Sequence, residues 1–263
     1  MERLAGRDGG VYHNAMSWDL EGDLDPAALG EAVGRLVERH PILRTSFQLS
    51  GTSEPLQIVH RRVETPFAVD DLSDLPLAEQ DRRLERWLDE ETRTGFDETA
   101  APLARFVLAR RGARRFQLSL SFHHAILDGW SVATLLAELW RTVADRSAAG
   151  AAPAPSFRES VAAERRALSS DESRSFWSER LRGAPFARLP RTAPEAPGAR
   201  PRAGLHEVPI PGELLAALSA VASRAGVPVK SVLLAAHLRM VSVLCAEPDV
   251  VTGLVTSTRP ERR

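Results

Sequence analysis

The segment SFHHAILDGWS, residues 121–131, concentrates the side chains of this sequence that could do chemistry. It holds two adjacent histidines, His123 and His124, and an acid, Asp128, that follows the second histidine by four residues. Gly129 comes next and permits close backbone approach and unusual dihedral angles. Three interpretations fit these residue types: a metal site, a supported catalytic base, or a core histidine pair at a tight turn.

The strand that leads into this segment bears on that choice. In FQLSLSF, residues 116–122, apolar residues alternate with glutamine and serine, which is typical of a half-buried strand. His124 keeps the parity of the apolar residues, so we expect it to point inward and to be less exposed than His123, which points the other way. Two diverging histidines chelate poorly, and no glutamate or cysteine at ligand spacing completes a metal site. An inward histidine at a glycine-marked turn would suit a base held rigidly beside a cleft, whereas a lone histidine would more simply be a core residue.

Helices are predicted on both sides of this strand. Asp25 is a good N-cap and Pro26 fits a first helical position, so a helix is predicted to begin there. It should end near His40, because Pro41 disfavours helical geometry in the residue before it. The segment SVATLLAELWRTVADR, directly after the motif, has the spacing of an amphipathic helix.

The remaining segments predict a mixed α/β chain. Two strands are expected around Gly112, and ILRTSFQL is expected to form a strand that pairs with PLQIVH. LAEQDRRLERWLDEETR predicts a helix with Leu77, Leu84, Trp87 and Leu88 mostly on one side. A stretch rich in Pro, Ala and Arg follows at residues 184–204. GELLAALSAVASRAG and PVKSVLLAAHLRMVSVLCA then predict two helices, and DVVTGLVTS predicts a strand.

Composition narrows the class of protein. The 263 residues include 34 basic and 35 acidic side chains, so there is no basic excess for nucleic-acid binding. No apolar run is long enough to span a membrane, and the first residues lack the apolar region of a signal peptide. Cys245 is the only cysteine and cannot form an internal disulfide. We expect a cytoplasmic protein with neither nucleic-acid nor membrane partners.

Several segments together resemble the condensation domains of nonribosomal peptide synthetases. HHAILDGWS matches the HHxxxDG signature of that superfamily, and its trailing GWS is similar to the peptide-forming members. GDLDPAAL, RHPILRTSF, GFDETAAPLARF, SFWSERLRGAP and DVVTGLVTSTRP resemble further segments of the family and occur in the family order. Because they cover nearly the whole chain, the resemblance does not rest on one motif.

The resemblance implies an α/β fold like that of chloramphenicol acetyltransferase, a two-layer sandwich with two lobes and a tunnel between them. It assigns residues 1–183 to an N-terminal lobe, 184–204 to a linker and 205–263 to the beginning of a C-terminal lobe. The family's SxAQxRxW-like opening motif is absent, and a complete domain is much longer. We therefore interpret the chain as a partial domain, with one complete lobe and the start of a second.

The resemblance also implies a reaction. Donor and acceptor carrier proteins present a thioester and an amine on phosphopantetheine arms, and the amine attacks the thioester to form an amide. An α-amine has a pKa of roughly 8, so a useful fraction is already neutral near that pH. Holding both arms in attack geometry can supply several kcal/mol. The implied partners are the carrier proteins and neighbouring synthetase domains, and no bound cofactor is implied.

Three residues form the expected catalytic group. His124 matches the second histidine of the signature, which lies nearest the chemistry and either takes the proton of the amine or positions the nucleophile. Asp128 matches the motif acid, which the family uses structurally through an arginine salt bridge. Gly129 matches the motif glycine, whose backbone is expected to face the reacting centre.

Four further residues are expected to support that group. His123 and Trp130 belong to the motif and are expected to be structural. Arg259 in STRP is the favoured partner of the motif acid, and Arg44 in LRTSF is the second choice. Two other functions stay open at this point. One is an O- or N-acyltransferase that uses acyl-CoA or a carrier-bound acyl group, and the other is a non-catalytic recruitment module.

Overall fold

The computed structural model describes residues 12–145, 157–185, 188–190 and 208–255. The chain divides into two compact units, residues 1–155 and 156–263. This division precedes the lobe boundary at residue 183 that the family resemblance implies, and that boundary stays a prediction. Most of the expected linker, residues 184–204, lies outside the described part of the chain.

The chain contains both strands and helices, as the sequence predicts, with all of the described strands before α3. Within the described residues the elements are β1 His13–Glu21, α1 Pro26–Arg39, a 3-10 helix Pro41–Arg44, β2 Thr45–Gln48, β3 Leu56–Val59, β4 Phe67–Asp71, α2 Leu77–Thr94, β5 Ala104–Arg110, β6 Arg115–His123, α3 Gly129–Ala144, α4 Phe157–Ser169, α5 Asp171–Arg180, α6 Gly212–Ala225 and α7 Val229–Cys245.

The first unit is built on a four-stranded sheet with the order β1-β6-β5-β4. β6 lies between β1 and β5 and is antiparallel to both, while β4 adds to β5 in parallel. The predicted hairpin around Gly112 is confirmed as β5 and β6. The predicted pairing of ILRTSFQL with PLQIVH is confirmed as the separate hairpin of β2 and β3, although residues 42–44 belong to the 3-10 helix and not to the strand.

One face of this sheet carries the apolar core. α1 begins as predicted, with the Asp25 side chain accepting a hydrogen bond from the Ala27 amide, and it ends at His40. α1 and α3 pack against each other over the alternate residues of β5 and β6. The core side chains, all nearly inaccessible to solvent, include Leu29, Val33, Leu36, Phe106, Leu118, Leu120, Phe122, Leu135 and Leu139.

α2 covers the opposite face, and its contacts are polar. Its buried residues are Gln80, Glu91 and Thr92, whereas Leu77 is 54% exposed. The amide of Gln80 donates to the main-chain oxygens of Leu72 and Leu75. The expected apolar side of this helix is therefore only partly right, since the buried residues are polar and the predicted apolar ones are half-buried or exposed.

Strand β6 is buried on both faces, which corrects the expectation of a half-buried strand. Phe116 and Phe122 face the apolar core, and the intervening Ser119 and Ser121 are also inaccessible, at 2% and 0% exposure. β6 is an interior strand of the sheet, and small polar side chains fit beneath the helix that covers its second face. Serine and apolar residues therefore alternate here between two covered surfaces.

The second unit is helical in its described part. α4 and α5 are separated at Ser170, whose side chain caps α5 by accepting from the Ser173 amide at 3.1 Å. The two helices predicted after the linker are confirmed as α6 and α7. The predicted strand DVVTGLVTS is not formed over 249–255, where the described residues offer it no paired neighbour.

The described helices differ from membrane-spanning helices in length and composition. No single one is long and apolar enough to cross a bilayer. α6 and α7 reach the required length and composition only when taken together, and the pair is bent by 101° at the break between them.

Candidate active site

The histidine motif lies where β6 ends and α3 begins, and main-chain hydrogen bonds fix it on both sides. The amide of His123 donates to the oxygen of Leu103 at 2.9 Å, and the amide of His124 donates to the oxygen of Tyr12. The amide of Ile126 turns back to the oxygen of His123 at 3.1 Å. The turn is thus tied to the segment before β5 and to the residue before β1.

The burial of the two histidines is the reverse of the prediction. His123 is buried, at 9% exposure, and His124 is exposed. β6 ends at His123, so the strand parity on which the prediction depended does not extend to His124. The face that receives His123, expected to be open, is instead covered. The expectation that His124 is the less exposed histidine was wrong.

The side chain of His123 holds the turn. Its Nδ1 accepts a hydrogen bond from the Ala125 amide at 3.2 Å, and its Nε2 lies 3.7 Å from Oε1 of Glu98. Burial lowers the pKa of His123, the Glu98 carboxylate raises it in part, and the neighbouring His124 lowers it again. A neutral His123 with its proton on Nε2 satisfies both contacts, which fits the structural role expected from the family.

Asp128 caps helix α3. Its Oδ1 accepts from the amide of Ser131 at 2.7 Å and from the hydroxyl of Ser131 at 2.6 Å. Such a side chain satisfies one of the amides that the first turn of a helix leaves unpaired. The acid therefore has a local structural role at the start of α3. Its expected salt bridge to an arginine stays a prediction.

The two arginines expected beside Asp128 lie differently. Arg259 falls outside the described residues, and its pairing with the acid stays a prediction. Arg44 donates to four main-chain oxygens instead, including those of Val37 at 2.9 Å and His60. These contacts make Arg44 a clamp between the end of α1 and the residue after β3, and its expected role as the second-choice salt-bridge partner is not what the structure favours.

The two residues after Asp128 are exposed. Gly129 is the first residue of α3, and a Cβ there would meet no atom of the described residues within 4 Å. Trp130 is 71% exposed, so its expected structural role is not seen in packing within the described residues of the first unit and stays a prediction. The loop is anchored by Ile126 and Leu127, which are buried in the apolar core.

A buried polar cluster lies beneath the motif on the α2 face, and the sequence did not reveal it. Nε2 of His13 and the Ser121 hydroxyl are 2.7 Å apart, and that hydroxyl donates to Oε1 of Glu91 at 2.7 Å. Arg105 forms an ion pair with Glu91 and donates to the oxygen of Gly95 at 2.9 Å. These four side chains, from β1, β6, α2 and β5, are called the polar network.

Nothing in local sequence separates the network residues from their neighbours. Glu91 lies in a helix with many charges, and His13 is distant from the motif in the chain. One signal was available: small polar residues recur at every second position near the end of β6. Ser17 and Ser119, whose hydroxyls are 2.7 Å apart, continue the same pattern one step along the two strands.

The fold exposes one imidazole, that of His124, to solvent and holds its main chain in a fixed position. His124 is exposed, its main chain is fixed by Tyr12, and the strand beneath it is buried on both sides. An exposed imidazole can accept or hold a proton of a bound nucleophile. Among the described residues no group of three or more His, Cys, Asp or Glu side chains is placed to hold a metal ion.

Comparison with known protein sequences gives a consistent result. Residues 4–263 match the condensation domain family. The chain is 39% identical over 268 residues to AMB antimetabolite synthetase AmbE of Pseudomonas aeruginosa. The aligned region covers 99% of this chain and 12% of that protein. It is 30% identical to phosphinothricin tripeptide synthetase PhsC of Streptomyces viridochromogenes, over 95% of this chain and 24% of that protein. The chain thus spans a small part of these relatives.

Solved structures show the same fold. SgcC5 of Streptomyces globisporus aligns with a TM-score of 0.68 and 28% identity, over 91% of this chain and 55% of that structure. The first condensation domain of the calcium-dependent antibiotic synthetase aligns with a TM-score of 0.70 and 23% identity, over 94% of this chain and 60% of that structure. The expected α/β fold and family are confirmed: the chain belongs to the condensation-domain family of nonribosomal peptide synthetases.

Proposed function

We propose that the domain to which this chain belongs forms amide bonds between a carrier-bound acyl or aminoacyl thioester and a carrier-bound amine. The observation that carries the proposal is His124, which stands exposed at the end of a strand buried on both faces, within an intact HHxxxDG motif. A recruitment module has no need of such a residue. The name of PhsC, a tripeptide synthetase, supports assembly of a product from several units.

His124 acts on the amine in this proposal. The nitrogen attacks the thioester carbon, a C–N bond forms, the C–S bond breaks, and the proton lost by the amine is taken up as the thiol of the carrier arm is released. His124 either accepts that proton or holds the amine in line. The main-chain bond to Tyr12 and the buried core beneath the turn keep its position fixed during the attack.

The other motif residues complete the site. Asp128 stabilises the start of α3 and so keeps the turn in register with the helix. Gly129 leaves its main chain uncovered within the described residues, so a substrate can approach without meeting a side chain. The substrates arrive on the phosphopantetheine arms of donor and acceptor carrier proteins, and no bound cofactor takes part. Neighbouring synthetase domains and a cytoplasmic location belong to the same proposal.

A second function within the superfamily is transfer of the acyl group to a hydroxyl. It is retained because SgcC5, with 28% identity to this chain, was crystallised with a diol, (R)-(-)-1-(2-naphthyl)-1,2-ethanediol. The two functions differ in the acceptor atom. Matched acceptors that differ only in an amine or a hydroxyl, offered to the same loaded donor, distinguish them by the amide or ester product.

The test uses the complete domain with loaded donor and acceptor carriers. His124→Ala should slow amide formation by about 10²–10⁴-fold, the usual range for general acid–base assistance. The deficit should be smaller for strongly basic acceptor amines and larger where the proton must leave during attack. His237→Ala, which removes an exposed histidine of α7, is the control and should leave the rate unchanged.

The pattern of the deficit decides the role of His124. A deficit that changes with acceptor pKa and with pH shows proton transfer. A deficit that is equal for every acceptor and every pH shows that His124 positions the amine. No deficit at all would contradict the proposed active site.

A further inference from the structure

His13, at the start of β1, lies at the edge of the motif although it is far from it in the chain. In the β1–β6 ladder His13 is the register partner of His123, and the preceding residue, Tyr12, accepts the amide of His124. Ser121, the hydrogen-bond partner of His13, lies on the same face of β6 as His123 and two residues before it. The first pair of this ladder therefore sets where β6 ends.

The number of available protons fixes which atom donates in the hydrogen bond between His13 and Ser121. A serine hydroxyl has one proton, and that of Ser121 goes to the Glu91 carboxylate. Nε2 of His13 must then be the donor to the Ser121 oxygen, which leaves Nδ1 without a proton when the ring is neutral. Nδ1 is buried and has no hydrogen-bond partner among the described residues. An imidazolium would carry an unsatisfied N–H there, which is costly in a buried site.

The charged groups around His13 come from three elements. Glu91 faces it from α2 and Arg105 from β5, while His123 is its neighbour on β6. The ring of Phe96 packs edge-on against it, with centroids 5.1 Å apart, and Arg105 lies over the same ring at 4.0 Å. Glu91 and Arg105 compensate each other, so the surroundings leave no net negative charge to balance a proton on His13.

We propose that neutral His13 is a positioning residue that holds the end of β6, and with it the turn bearing His123 and His124, through its hydrogen bond to Ser121. Protonation of His13 adds an N–H at Nδ1 that the buried site cannot satisfy, and so weakens this hold. Calling His124 the reacting group rests on the proposed function, but the positioning claim concerns the main chain and can be tested without catalysis.

The pH dependence follows from the direction of the pKa shift. Burial lowers the pKa of His13 below its ordinary 6.5, the Glu91 carboxylate raises it in part, and Arg105 and His123 lower it further. The unfolded chain therefore binds more protons than the folded chain as the pH falls below 6.5. The stabilisation due to neutral His13 is complete above that pH and is lost as the pH falls through the lowered pKa.

The experiment measures hydrogen-exchange protection of the His123 and His124 amides in the full chain, with the Leu118 amide in the middle of β6 as an internal reference. His13→Leu removes the donor and should lower the protection at the motif by about five- to tenfold at neutral pH, as expected for one buried hydrogen bond. In the wild type the same loss should appear as the pH falls below 6.5. Protection of Leu118 should change less.

Two further variants separate positioning from general stability. His13→Gln keeps a donor near the position of Nε2 but cannot titrate, so it should retain protection at neutral pH and remove the part of the low-pH loss that His13 contributes. Only the part due to protonation of His123, whose pKa is also lowered, should remain. Ser17→Ala breaks the equivalent bond to Ser119 one step along the same strands and should leave the motif amides unchanged.

Three results would overturn the inference. These are equal loss in His13→Leu and Ser17→Ala, a low-pH loss in His13→Gln as large as that of the wild type, and unchanged protection in His13→Leu. Each can occur while His124→Ala still abolishes amide formation. Conversely, the positioning result can hold while His124→Ala has no effect, so failure of this inference and failure of the proposed function are distinguishable.

Discussion

The two faces of the β1-β6-β5-β4 sheet are built on different principles. α1 and α3 cover one face, and their leucine and valine side chains pack with the phenylalanine and leucine side chains of the strands in an almost wholly buried core. α2 covers the other face and buries Gln80, Glu91 and Thr92, of which Glu91 accepts from the Ser121 hydroxyl and Gln80 donates to main-chain oxygens. The apolar layer excludes water without directional contacts, whereas the polar layer depends on particular hydrogen bonds.

This difference indicates that one face mainly provides stability and the other mainly fixes the positions of side chains. Apolar burial is favourable in roughly any orientation and provides most of the stability. Buried hydrogen bonds contribute less net free energy, but each fixes the position of its partners. The motif turn draws on both, because Ile126 and Leu127 enter the apolar core while His123 and Ser121 face the polar layer.

The largest effect should come from the apolar face. Phe106→Ala removes a buried ring from the centre of the sheet and should lower the free energy of unfolding by about 3–5 kcal/mol. Trp130→Ala, at a residue 71% exposed, is the control and should change it by less than about 0.5 kcal/mol. Urea unfolding measures both, and equal losses would contradict the description of this face as the core.

A smaller loss is expected on the polar face. Glu91→Ala leaves Arg105 and the Ser121 hydroxyl without their shared acceptor and should cost about 1–3 kcal/mol. Glu79→Ala is the matched control on the same helix, because its ion pair with Arg82 is exposed and worth about 0–1 kcal/mol. Urea unfolding of the two variants compares them. If the Glu91 variant is no less stable than the control, the polar layer contributes nothing by this route.

The helix cap at the motif should have a still smaller effect. Asp128→Ala should lose the cap of α3, about 1 kcal/mol, whereas Asp128→Asn keeps an oxygen that can accept from the Ser131 amide. The difference between the two variants in thermal or urea unfolding isolates the cap. A large and equal loss in both would show instead that the charge of Asp128 matters most, as in the salt bridge that the family implies.

The smallest effect on stability is expected at Gly129. Gly129→Ala adds a Cβ that meets no described atom, so the free energy of unfolding should stay within about 0.5 kcal/mol or rise slightly. Amide formation by the complete domain should nevertheless fall if substrate approaches this main chain. A variant with full activity would remove Gly129 from the site, and a clear loss of stability would mean that packing requires the glycine.

The sequence predicted where the motif lies in the fold but not which of its two histidines is buried. The HHxxxDG spacing identified the turn between β6 and α3, and Asp128 and Gly129 lie there as expected. Strand parity then assigned His124 to the interior, and the structure buries His123 instead. Parity holds only while the strand continues, and the residue at which a strand ends depends on its neighbours in the sheet.

Signals confined to a few consecutive residues were determined by the sequence itself. The N-cap at Asp25, the proline after His40 and the hairpin around Gly112 act through local sterics and hydrogen bonds, and each appears in the structure. Only the tertiary structure decided which surfaces are covered. The serines of β6 are buried because α2 covers them, and the polar network from His13 to Arg105 joins four segments that are distant in the chain. Residues 249–255 form no strand among the described residues because a strand requires a hydrogen-bonded partner.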